Sequence, residues 1–235
     1  MTPHRSPRRL VLWDVDHTLI ETRGVGGELY ASAFQAATGL AMVEKAEVTG
    51  QTEPSILTAT LRLHGIDEDE PYLARYQVEL PAEYDRRRDD LARRGRILPG
   101  ATTTLAALAE RPEIVQAVLT GNLRDVARIK LEVFGLDRYI DLEVSAYGDD
   151  DSNRPNLVAV AQRRATAKYG TPFNSNSTVV IGDSRHDVRT GLCGGAKAVG
   201  VASGNESIEQ LRKAGADAAW SDLTDTDTIV AFLIA

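Results

Sequence analysis

A single cysteine, Cys193, stands among 235 residues. No disulfide can therefore form within the chain, and the composition suits a reducing compartment. Nowhere do 18 apolar residues run together, which removes the sequence signature of a membrane-spanning helix. Basic residues are outnumbered: 27 Lys and Arg against 34 Asp and Glu leave a formal net charge of −7, the wrong sign for a protein that tracks nucleic-acid backbones. The start of the chain is basic, with Arg5, Arg8 and Arg9, but the apolar stretch after it is broken by Asp14 and Asp16. It does not read as a signal-peptide core. The expectations are a cytoplasmic protein without a membrane or nucleic-acid partner, monomeric or homodimeric. No repeat of 20 to 50 residues is visible. With 43% hydrophobic and 26% charged residues, the composition is that of an ordinary globular chain, long enough for one or two domains with a core that needs no staples.

Four short apolar runs stand out: Leu10 to Trp13, Ile114 to Leu119, Thr178 to Ile181 and Ala198 to Val201. None alternates with polar residues, which is the pattern of strands buried on both faces of a sheet. Leu142 to Ala146 is a weaker fifth run, and Ala218-Ala219-Trp220 reads as a short edge strand. Between the runs the spacing predicts helices over 101–109, 123–134, 156–169, 208–214 and 225–234. In the second of these Val126, Ile129, Lys130 and Val133 fall at helical spacing, with Gly135 as C-cap. From Ile97 onward strands and helices alternate, which predicts a doubly wound, mainly parallel α/β sheet. Between the first strand and Ile97 the chain changes character: 28–38, 54–64 and 71–94 read as amphipathic helices with no convincing strand. Glycines at 24, 26, 27, 95 and 100 flank this insert as expected hinges.

Chemistry concentrates at strand ends. Asp14 and Asp16 follow the first strand, where alternation sends both side chains the same way and where open α/β sheets bind ligands. Two carboxylates so close repel unless a cation or proton intervenes; a plain Asp-rich turn would look the same. Gly182-Asp183-Ser184-Arg185-His186-Asp187 repeats the theme, with hard oxygen ligands suited to Mg²⁺, although Asp183 or Ser184 would also serve as a helix cap. Thr120-Gly121-Asn122, between a buried strand and a helix, offers a hydroxyl, a glycine amide and a helix N-terminus to an anion, or an ordinary N-cap. Arg154-Pro155 adds a cation before another helix.

Together, D-x-D-x-T, a Thr after a strand, a later cation and G-D-x-x-x-D occur in an order that resembles the haloacid dehalogenase superfamily of phosphohydrolases. Thr22 to Gly27, Thr49 to Glu53, Leu98-Pro99-Gly100 and Gly194 to Gly200 are similar to its phosphoglycolate phosphatase-like branch, and the resemblance spans essentially the whole chain. It implies a Rossmann-like core (1–20 and 97–235) with an inserted α-helical cap (21–96). It further implies a Mg²⁺-dependent hydrolase of a small phosphorylated metabolite. Asp14 would be the nucleophile that forms an aspartyl-phosphate, and Asp16 the acid and base. Thr120, Gly121, Asn122 and Arg154 would bind phosphate. Metal would be held by Asp14, the Asp16 carbonyl, Asp183 and Asp187, the last directly or through water. His17, Thr18, Gln51 and Thr52 are candidate substrate contacts.

The chain departs from its relatives twice: His17 stands where glycine is common, and Arg154 where lysine is usual. Lys168 and Lys197 are alternative cations, but neither precedes a proline. A sugar-phosphate mutase of the β-phosphoglucomutase type would use the same residues, and a non-catalytic phosphate-binding relative would keep the fold. Asp16 favours phosphoryl transfer over dehalogenation, because a departing halide needs no proton. Elsewhere, His186 is read as an exposed helix start, His4 and His64 as surface residues, and Asp149 to Asp151 as a solvated run. Arg86 to Arg88, Arg93 and Arg94 are read as intrahelical ion pairs, with presentation of charge to a substrate as the alternative. Cys193 is read as a packing residue.

Overall fold

The computed structural model describes residues 9–67 and 70–235. The basic start, with Arg5, Arg8 and His4, lies outside them. Five parallel strands form the central sheet in the order β4-β1-β5-β6-β7. They are β1 (Arg9–Trp13), β4 (Ile114–Val118), β5 (Thr178–Gly182), β6 (Lys197–Val201) and β7 (Ala218–Trp220). Continuous apolar sequence is used on both faces, as the sequence requires. In β1, Val11 and Trp13 join one cluster with Leu105, Leu108, Ala127, Leu131, Ile229 and Leu233. Leu10 and Leu12 join the opposite one with Leu157, Val158 and Ala161. Those partners come from α5 (Ala101–Ala109), α6 (Arg124–Val133), α10 (Thr226–Ile234) and α7 (Arg154–Tyr169). Complete burial of each such leucine contributes roughly 1.5–3 kcal/mol.

The sheet edge that matters is set by register. Trp13 lies level with both Val118 of β4 and Ile181 of β5. The residues that follow these strands therefore emerge side by side at the carboxyl edge. Because β1 sits between β4 and β5, the chain runs out to both sides of it, which makes this edge the switch point where α/β sheets open a crevice. Two further helices, α8 (Arg185–Gly194) and α9 (Ile208–Lys213), flank the far strands.

The helical insert lies between two short strands, β2 (Ile20–Glu21) and β3 (Arg96–Ile97), which pair antiparallel. It contains α1 (Val25–Thr38), α2 (Glu53–Leu63), α3 (Glu70–Arg86) and α4 (Arg88–Arg94). Leu29, Phe34, Leu57, Tyr76, Leu80 and Leu91 share a separate apolar cluster that extends onto Leu123, Val126 and Ile129 at the start of α6.

Three sequence expectations are corrected. The helix expected over 71–94 is broken at Arg87, whose backbone leaves helical geometry (φ −114°, ψ 30°); nothing in the sequence marks this break. The β2–β3 pair was not visible, because two residues are too few to show a period. Leu142 to Ala146 is not a strand: only a single bridge, Leu119 to Ala146, forms. The Ser145 hydroxyl accepts from Val118 N at 2.9 Å, so a side chain takes a donor that a ladder would have needed.

Candidate active site

Asp14 follows β1 directly, and its amide is tied to Ile181 O at 2.8 Å. Carboxylate oxygens of Asp14, Asp183 and Asp187 approach one another within 4.8 Å. Arg154, the first residue of α7, is buried beside them. Its Nη2 donates to Asp14 Oδ1 at 3.0 Å and to Asp187 Oδ1 at 2.9 Å. Ser184 caps α8, accepting from the Asp187 amide, while Asp187 Oδ2 accepts from Ser184 N at 3.1 Å and Oγ at 2.6 Å. The capping expectation for Ser184 is met, and the same motif holds Asp187 beside Asp14 and Asp183. Burial, and then repulsion from Asp187, push the Asp14 carboxyl well above the usual range. The same two causes raise Asp183 to about 7. Three crowded carboxylates with one cation between them form a hard-oxygen set whose repulsion a divalent ion would relieve.

A second network holds Asp16. Asn122 Nδ2 donates to Asp16 Oδ2 and to Thr120 Oγ1, both at 2.7 Å. Lys130 Nζ donates to Asp16 Oδ2 at 2.7 Å, to Asp16 Oδ1 at 2.9 Å and to Asn122 Oδ1 at 2.8 Å. Burial alone would raise the Asp16 carboxyl, but Lys130 and Asn122 hold it below its ordinary value. Both networks border one cavity of about 560 Å³. Its far wall comes from the insert, with Lys45, Gln51, Glu53 and Tyr84. The Lys45 ammonium lies 3.7 Å over the centre of the Tyr30 ring, and Tyr76 donates to Glu53 Oε2 at 3.3 Å. Burial lowers Lys45 and raises Glu53.

The family model for haloacid dehalogenase-like hydrolases matches residues 11–191, a span that includes every residue of both networks. The chain belongs to this family. A curated relative from Caldanaerobacter subterraneus subsp. tengcongensis, provisionally named pyrophosphatase PpaX, is 26% identical over 203 residues, covering 86% of each chain. A hydrolase structure from Pseudomonas syringae superposes with a TM-score of 0.66 at 23% identity, covering 97% of this chain and 99% of that one. CbbY from Rhodobacter sphaeroides, solved with phosphate, gives 0.69 at 19% identity, covering 92% and 95%. Likenesses this remote in sequence speak for the fold.

Within this hydrolase, Asp14, Asp16, Thr120, Gly121, Asn122, Arg154, Asp183 and Asp187 all border the one cavity. The Asn122 amide donates to Thr120 Oγ1 at 3.2 Å. His17 is exposed and holds φ at 64°, the left-handed conformation that glycine adopts without strain. Gly121 is required by close approach: a Cβ there would lie 2.1 Å from Gln51 O, where the insert docks. Next to it, Glu53 N donates to Gly121 O at 2.8 Å.

Of the four candidate substrate contacts, His17 and Gln51 border the cavity and Thr18 and Thr52 do not. Thr18 is fully buried, its hydroxyl donating to Asp14 Oδ2 at 3.4 Å. Thr52 is fully buried against Ser55. His186 is half-buried rather than exposed, packed under Gly50. Lys168 pairs with Asp141 and Glu143, which leaves Arg154 as the cation beside Asp14. Arg86, Arg93 and Arg94 make the expected intrahelical pairs, Arg88 instead reaches Asp85 across the break at Arg87, and Arg87, Arg88 and Arg94 also reach Glu28 or Glu132. None of the five borders the cavity. Asp149 accepts from Arg124 N, and Asp150 pairs with Arg164. Cys193 is exposed, which overturns its packing role. Among the described residues no helix is long and apolar enough to cross a membrane.

Lys130, Lys45 and Tyr84 were missed by sequence reasoning, whereas Glu53 lies in the Thr49 to Glu53 stretch that the sequence singles out. Only Lys130 left a signal: a lysine on the buried stripe of an amphipathic helix must find a buried partner.

Proposed function

We propose that this hydrolase is a Mg²⁺-dependent phosphomonoesterase acting on a small phosphorylated metabolite through an aspartyl-phosphate on Asp14. The observation that carries the reading is the Asp14–Asp183–Asp187 cluster bridged by buried Arg154 at a cavity. Further support is that Arg154 Nε is a buried donor with no partner among the described residues, and a phosphoryl oxygen is an acceptor of the kind it lacks. Asp14 attacks phosphorus as the bond to the leaving oxygen breaks, and Asp16, which Lys130 and Asn122 hold ionised in the free site and which therefore first takes up a proton, passes that proton to the leaving oxygen. Asp16 then takes a proton from water, which attacks the aspartyl-phosphate and returns Asp14 as a carboxylate. Thr120 and the Gly121 amide hold the phosphoryl oxygens, the Asn122 backbone amide being turned to Thr120 Oγ1, and Arg154 balances their charge. The Asp14, Asp183 and Asp187 carboxylates and the Asp16 carbonyl would hold Mg²⁺. When bound, that ion supplies the charge neutralisation a carboxylate needs to approach a phosphate dianion. Residues 21–96 act as a cap over the core formed by 1–20 and 97–235, and the docked 50–53 segment closes the site against bulk water.

The direct test is phosphate release from a panel of small phosphomonoesters with and without Mg²⁺. Metal-dependent release is the expected result; no release from any ester by the folded chain would overturn the reading.

The carboxylate cluster also sets a pH dependence. Asp183 in the folded chain titrates near 7, against about 3.8 in the ordinary case. Between those values the folded chain binds a proton that the unfolded chain does not, so its stability falls as pH rises through the window. Asp14 contributes in the same direction. The metal-free melting temperature is expected to drop by roughly 4 °C between pH 5 and pH 8. That corresponds to about 1.3 kcal/mol, half of what the interval between pH 5 and pH 7 would give, because Asp183 is partly exposed. Mg²⁺ replaces those protons, so its stabilising effect should be larger at pH 8 than at pH 5. Melting curves in chelator and in excess Mg²⁺ at both values check this.

A further inference from the structure

Lys130 is only 3% exposed and is the sole charged residue on the face of α6 that carries Val126 and Ile129 and packs on the insert core. Helical side chains lean toward the N-terminus of their helix, and the start of α6 lies at the carboxyl edge of the sheet. Lys130 therefore reaches back into the site its own helix begins beside. Its ammonium donates to both oxygens of Asp16 and to Oδ1 of Asn122, and it also faces Tyr84, whose ring centre lies 5.3 Å away. The Asn122 amide is fully committed, its nitrogen donating to Asp16 and Thr120 while its oxygen faces Lys130. The reverse orientation would set NH₂ against an ammonium and oxygen against a carboxylate, so the network has one chemically consistent arrangement. It locks Asp16 by both oxygens. Ion pairs taken out of water add little net stability compared with apolar residues of the same volume, so folding alone does not account for this lysine.

We propose that Lys130 is a positioning residue for Asp16, holding its carboxylate in the one rotamer from which it exchanges protons with the leaving group and with water. This rests on the hydrolase reading above. Lys130 acts on the two steps Asp16 serves and leaves the attack of Asp14 alone.

The experiment compares Lys130→Met, Asp16→Asn and the double variant with an alkyl phosphate and with 4-nitrophenyl phosphate in Mg²⁺. Covalent phosphate on Asp14 is read after acid quench. Lys130→Met should lose about 10²-fold in kcat on the alkyl ester with KM little changed. With 4-nitrophenyl phosphate, whose leaving group departs without a proton, it should keep its burst of nitrophenolate, turn over slowly and accumulate phospho-enzyme. Added to Asp16→Asn, it should cause no further loss, because the group it positions is already disabled. Wild-type kinetics in Lys130→Met would overturn the proposal. So would an equal loss of burst and turnover, or the same fold-loss in the Asp16→Asn background. If Lys130→Met alone does not fold, Lys130→Gln keeps a donor without the charge and is read by the same criteria. A wild-type chain that forms no Asp14-linked phosphate from either ester refutes the hydrolase reading and this proposal with it. A working wild type matched by its Lys130 variants refutes only this one.

Discussion

Asp14→Asn should lower phosphate release by on the order of 10⁵-fold, the scale of losing a covalent nucleophile, while leaving the chain folded. The amide keeps the shape of the carboxylate and an oxygen for Arg154 Nη2, which donates to Asp14 Oδ1 at 3.0 Å. What it removes is the charge that burial and Asp187 oppose. In chelator, therefore, the variant should melt at or above the wild-type temperature. It should also gain less from Mg²⁺, because one anionic ligand has gone. Loss of activity accompanied by preserved stability separates a chemical role from a structural one. A variant that retains even a hundredth of the wild-type rate would point to a nucleophile other than Asp14.

How far such a site can be read from sequence depends on which physical constraint each residue answers to. The core strands were legible because strands buried on both faces must be apolar throughout, as Leu10 to Trp13 and Thr178 to Ile181 are. Asp14, Thr120 and Asp183 were legible because parallel strands deliver their next residues to one edge. Leu142 to Ala146 misled because apolarity reports burial and not pairing: Val144 and Ala146 are buried, yet a serine hydroxyl replaces the ladder. Lys45 and Tyr84 were invisible for a different reason. They reach the cavity through the packing of α1 to α4 on α6, and no spacing in the chain encodes where an inserted helical unit comes to rest. Lys130 falls between these cases. Its place on a buried stripe was visible, and its partner, 114 residues away in the sequence, was not.

Arg154 carries the second large effect, and its sign depends on pH. Removing it as Arg154→Met leaves Asp14, Asp183 and Asp187 within 4.8 Å of one another with no cation between them. Stripping one partner from a buried ion cluster costs about 3–5 kcal/mol. In chelator at pH 8 the variant should be destabilised by that order. At pH 5 much of the loss should return, because carboxyls already raised by burial and mutual repulsion take up protons in place of the missing guanidinium. Mg²⁺ should then stabilise the variant more than the wild type at pH 8, as the ion becomes the cluster's only counter-charge. Turnover should still fall about 10²–10³-fold even in saturating Mg²⁺, the scale of losing one preorganised electrostatic partner of the transition state. Arg154→Lys divides the two roles. A lysine restores the charge and should recover most of the pH 8 stability, but its compact ammonium lacks the planar fork and the buried Nε that has no protein acceptor among the described residues. Recovery of stability without recovery of kcat would assign the planar guanidinium to the phosphoryl group. An Arg154→Met chain as stable as wild type in chelator at pH 8 would mean that the three carboxylates do not share charge in the way their geometry requires.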